Sequence, residues 1–75
     1  MNNSNNNKKI GMALLRQTQI LSQNNAITPD ERTVIASCIQ EGMATGTYNR
    51  LKEVLFEVLA TTALPEVVEE MLLEI

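Results

Sequence analysis

TPDERTVIASCIQ, residues 28 to 40, is the stretch that decides the fold. Thr28 stands where a helix N-cap belongs, Pro29 at the first helical position, and Glu31 at the third. Threonine and glutamate at that spacing form a capping box, in which each side chain satisfies the other's backbone N–H. Asp30 and Glu31 also place two carboxylates in the first turn, where the helix dipole favours them. Val34, Ile35, Cys38 and Ile39 then recur at helical spacing as a broad apolar face, with Ala36 and Met43 at its edge. The helix is expected to end near Gly42, or near Gly46 if its last turn persists.

Working outward, a helical pattern runs from about Lys8 to Gln23, with Ile10, Leu14, Gln17 and Leu21 along one stripe. Met12, Leu15 and Ile20 fall on other sides of it. Residues 1–7, asparagine and serine after Met1, are too polar to bury anything and are expected to be disordered, leaving 8–75 as one helical domain. Gln23 to Ile27 reads as a linker. Downstream, a third helix, capped by Thr47, is expected from around Thr47 to about Thr61, with Leu51, Val54, Leu55, Val58 and Leu59 on one face. Phe56 lies roughly 120° away from that stripe at about 100° per residue. After a break at residues 61–64, Pro65 opens a last helix with Leu64, Val68, Met71 and Ile75 as its stripe, widened by Val67 and Leu72. Leu73 points to the opposite side. No strand-like alternation is present, so the class is all-α: three to four short helices in a small bundle, expected to be completed by homodimerisation.

Size explains that last expectation. A core built from 75 residues rarely leaves more than roughly 3–5 kcal/mol of net stability without a staple or a partner. The single cysteine, Cys38, allows no intrachain disulfide, and the absence of histidine removes the commonest zinc ligand. No segment approaches a membrane-spanning apolar length, and the polar N-terminus lacks the apolar core of a signal peptide, so a cytoplasmic location is expected. The net charge is −3 and unevenly spread. Residues 1–52 hold all six basic side chains against Asp30, Glu31 and Glu41, a balance of +3, whereas residues 53–75 hold six glutamates and no base. This asymmetry favours antiparallel self-association or a basic partner, and it disfavours nucleic acid at the C-terminal part.

The residues offer three kinds of candidate site. For catalysis, Glu66, Glu69, Glu70 and Glu74 fan around the solvent side of a short helix with no loop to shape an ion site. Cys38 has no histidine to activate it and reads as a buried small hydrophobe. No enzyme, cofactor or metal is expected. For DNA, Gly42 would occupy the turn of a helix-turn-helix and Thr47, Asn49, Arg50 and Lys52 would meet bases and phosphates. Gln40 and Glu41 stand where such a turn wants apolar packing, and a pI near 4.7 opposes the phosphate field. For a protein interface, Met12, Leu15, Ile20, Phe56 and Leu73 are five large apolar residues off their helices' main stripes, more than a chain this short needs on its surface. A dimer would bury them.

The run DERTVIASCIQEGMATGTYNRLKEVLFEVLATTALPEVVEEMLLEI, residues 30–75, resembles the small bacterial two-component-system connector proteins that regulate biofilm formation and acid resistance. The residues that carry the likeness are the acidic helix start Asp30-Glu31, the apolar run Val34, Ile35 and Ile39, and Gly42. Leu51, Leu55, Val58 and Leu59 follow about nine residues later, and then a threonine-containing break and a final apolar helix. The resemblance implies a helical homodimer without enzymatic activity that binds a sensor kinase or phosphorelay protein, some members touching DNA. The expected function is therefore regulation by protein–protein contact, with Phe56, Leu73, Leu15, Ile20 and Met12 as interface anchors. The glutamates 66, 69, 70 and 74 would form an acidic rim. The alternatives are a helix-turn-helix DNA binder and an antitoxin-like inhibitor that occupies a partner's groove.

Overall fold

The computed structural model describes the backbone of residues 3–75 and the side chains from Asn6 onward. Four helices, and no strand, are found among these residues: α1 Asn3–Gln23, α2 Pro29–Thr45, α3 Asn49–Leu59 and α4 Pro65–Glu74. Each contributes a pair of fully buried side chains one or two turns apart, Leu14 and Leu21, Ile35 and Ile39, Leu51 and Leu55, Val68 and Met71, and α2 adds Cys38. That spacing puts both residues of each pair on one face, so the four faces close over a single core. α1 packs on α2 and α4, and α3 packs on the same two, leaving α1 diagonal to α3 and α2 diagonal to α4. The longest dimension is 38 Å, and the 21-residue α1 alone spans roughly 31 Å at ~1.5 Å per residue.

The ends of the helices follow from local chemistry. At the close of α1, Asn25 takes a left-handed conformation (φ 57°). The Ala26 N–H then donates to the Leu21 carbonyl and the Asn25 N–H to that of Ser22, the paired bonds of a Schellman motif. The capping box expected for α2 is present: Thr28 Oγ1 accepts from the Glu31 N–H at 3.1 Å, and the Thr28 N–H donates to Glu31 Oε1 at 2.8 Å. α2 persists through Thr45, the longer of the two expected lengths, and Gly46 (φ 83°) stops it by donating its N–H to the Gly42 carbonyl. Thr18, the one buried polar side chain among the described residues, donates its hydroxyl to the Leu14 carbonyl at 2.8 Å.

Several boundaries differ from the sequence-based expectation. α1 already includes residues 3–7, expected to be disordered; Met1 and Asn2 lie outside the described residues. The Asn7 carbonyl accepts a hydrogen bond from the Tyr48 hydroxyl at 3.1 Å, a tertiary tie that a polar run does not announce. Thr47 does not cap α3. The N-cap is Tyr48, without a side-chain cap bond, and the Thr47 hydroxyl lies 3.4 Å from that of Thr45 instead. α3 ends at Leu59 rather than near Thr61, because both the Thr61 and Thr62 N–H groups turn back to the Val58 carbonyl. Val34, expected on the buried face of α2, is exposed.

Candidate interaction surface

Four large apolar side chains remain exposed among the described residues, one on each helix: Met12 (62%), Val34 (45%), Phe56 (58%) and Leu73 (86%). The core closes without them. Of the anchors expected from sequence, Met12, Phe56 and Leu73 thus stand in solvent. Leu15 and Ile20 are half-buried, Leu15 packing against the core. Val34 was not among the expected anchors. The signal for it lay in the width of α2's apolar face: Val34 and Ile39 are roughly 140° apart, wider than two neighbouring helices need cover.

Val34 belongs to a seam between α2 and α3, which run antiparallel. At one end of the seam Arg50 Nη1 donates to Glu41 Oε1, and this bond holds the guanidinium's pKa above its ordinary value. At the other end a groove of about 370 Å³ opens between the start of α2 and the end of α3. Val34, Val54 and Val58 form its apolar floor, and Asp30, Glu31 and Glu57 its rim. No basic side chain lines it among the described residues.

A shallower depression lies along the outward side of α1, beside Met12, Leu15, Arg16 and Gln19. The exposed Met12 and, one turn on, the exposed Arg16 stand beside it as an outward ridge of α1, and Gly11 sets how close this side of the helix comes to α2. A β-carbon there would fall 2.0 Å from Met43 Sδ, so the glycine lets α1 approach α2 closely. Leu15, one turn on, lies on the same line, which puts the ridge at the α2 side of α1.

The expected acidic rim is exposed along α4: Glu66, Glu69, Glu70 and Glu74 all face solvent. Gln17 Nε2 donates to Glu70 Oε2 at 3.4 Å, linking that rim to α1. Glu74 shares a cleft with Lys52, Asn49, Thr47 and Tyr48 at the end of the bundle. Thr47, Asn49, Arg50 and Lys52, the candidate DNA contacts, are exposed, but one of their two cations is engaged: Arg50 is paired with Glu41, while Lys52 lines the same cleft as Glu74. Tyr48, placed at the start of the same candidate reading segment, is buried. Cys38 is a free, buried thiol. Among the described residues no three His, Cys, Asp or Glu side chains come together in a way that would hold a metal ion, and no helix is long and apolar enough to cross a membrane. No protein-family model, curated protein or solved structure matches the chain.

Proposed function

We propose that this chain is a small non-enzymatic regulatory protein that acts by protein–protein contact as a cytoplasmic homodimer. The pathway it modulates would be a signalling, phosphorelay or transcriptional one, as the resemblance to two-component connector proteins implies. One observation carries the reading: four large apolar side chains, Met12, Val34, Phe56 and Leu73, stand exposed although the core is complete without them, more than one contact needs. Burying an exposed aromatic and an exposed leucine contributes about 1.5–3 kcal/mol each, a large increment for so small a fold. The acidic α4 beside them would speed encounter with a basic partner and make it sensitive to salt.

Sedimentation across micromolar concentrations tests the first half of the reading. A dimer is expected, and a strict monomer over that range would overturn self-association. For the second half, a phosphorelay protein bound by the wild type should be lost in Phe56→Asp, and retention by that variant would remove Phe56 from the contact. A second reading, DNA contact through Thr47, Asn49, Arg50 and Lys52, draws on their exposure at the three-residue α2–α3 turn. Salt-sensitive binding to duplex DNA, abolished by Arg50→Ala, would place it first.

A further inference from the structure

We infer that the acidic groove between α2 and α3 seats the outward ridge of α1 from a second copy of the chain, and that two such contacts close the dimer. The inference rests on the homodimer reading above and adds which surfaces meet.

The groove states what it will take. Its floor of Val34, Val54 and Val58 favours an aliphatic side chain, and the carboxylates of Asp30, Glu31 and Glu57 favour a cation beside it. Glu41, at the other end of the seam, is paired with Arg50, and Glu31 already accepts the Thr28 N–H, so Asp30 and Glu57 are the groove carboxylates left to meet a cation. Within this chain one helix matches. α1 carries Lys8, Lys9 and Arg16 and no acidic residue, whereas α4 carries four glutamates and no base. On α1, the exposed Lys8, Met12 and Arg16 follow one another at one-turn spacing, with the half-buried Leu15 adjoining. Cation and aliphatic side chain therefore alternate along the ridge at one-turn intervals. Seating it would cover Met12 and Val34 together, two of the four exposed large apolar side chains, and leave Phe56 and Leu73 free for another protein.

The placement also permits reciprocity. The ridge lies on the α1 side of α2 and the groove on its α3 side. Between them runs the outward face of α2, a shallow depression lined by Arg32, Thr33, Ala36, Ser37 and Gln40. One copy can thus offer its ridge and its groove to the same partner, as a two-fold pair requires.

Charge reversal at two exposed positions, Arg16 and Glu57, tests this by sedimentation equilibrium, with circular dichroism to confirm that each variant is helical. Arg16→Glu alone and Glu57→Lys alone should each weaken the dimer at least tenfold, because each sets like charges against each other in both contacts. A one-to-one mixture of the two variants should restore it, since every ridge–groove contact in the mixed pair again joins opposite charges. A wild-type dimer indifferent to both single changes, or single losses with no rescue on mixing, would overturn the groove assignment and leave the homodimer reading standing. A wild-type monomer would overturn both.

Discussion

Gly42 lies directly beneath the ring of Tyr48: a β-carbon on residue 42 would fall 2.2 Å from Tyr48 Cδ1 and 2.3 Å from Cε1. The glycine therefore serves the packing of the turn, where the ring of the buried Tyr48 covers the last turn of α2. Gly42→Ala should push the ring off this seat and cost about 1–3 kcal/mol, the usual penalty for overfilling a packed site. In a domain of this size that lowers the midpoint of thermal unfolding by roughly 4–8 °C per kcal/mol. Melts at one fixed protein concentration would check it, and an unchanged midpoint would mean that the ring has room to move.

Tyr48 supplies the second prediction. Its hydroxyl donates to the Asn7 carbonyl, so Tyr48→Phe should cost about 0.5–1.5 kcal/mol. Burial also raises the pKa of the phenol above its ordinary value. A raised folded-state pKa means that the folded chain holds this proton more tightly than the unfolded chain does. Its contribution is then fully present below about pH 10, the unfolded value, and is lost as pH rises through the folded one. Stability should fall above that pH in the wild type and fall less steeply in Tyr48→Phe. Because Tyr48 is the only tyrosine in the chain, its phenolate absorption follows the same titration directly.

The capping box of α2 gives a third. Thr28→Ala removes the acceptor for the Glu31 N–H and should cost about 1 kcal/mol, whereas Thr28→Ser keeps the oxygen and should cost much less. Urea unfolding of the two variants side by side would separate the lost hydrogen bond from any general effect of substitution. Equal losses in both would assign the effect to the missing methyl group instead.

How much of this fold can be read in the sequence depends on whether a signal is local. Thr28, Pro29 and Glu31 act on backbone groups three residues away, and Pro65 presets its own φ, so the starts of α2 and α4 are evident from residue type alone. The all-α class follows in the same way from the helical recurrence of the buried pairs. Tyr48 is different. It sits in a turn with no periodicity, and its partners are a glycine six residues back and a carbonyl 41 residues away, neither of which marks it as core. The start of α1 at Asn3 was hidden for the same reason, since the Asn7 carbonyl is tied from α3's threshold. Phe56 and Leu73 were recognisable as off-stripe residues because each helix's angular pattern already excludes them from the core. Val34 was not, because its angle fits either the core or the seam, and only the spacing of α2 from α3 decides between them.

Leu55 and Phe56 turn that distinction into a measurement. They are adjacent in sequence and about 100° apart around α3; Leu55 is fully buried and Phe56 is 58% exposed. Leu55→Ala should remove about 2–5 kcal/mol, comparable to the whole net stability expected of so small a core, and leave the chain largely unfolded at 25 °C. Phe56→Ala removes the bulkier side chain yet should change the stability of the folded monomer by no more than about 0.5 kcal/mol, as substitutions at exposed positions do. Circular dichroism on dilute protein would show the contrast. If Phe56→Ala proved as damaging as Leu55→Ala under conditions where the chain is monomeric, the ring would belong to the core, and its role as a docking residue would fall with it.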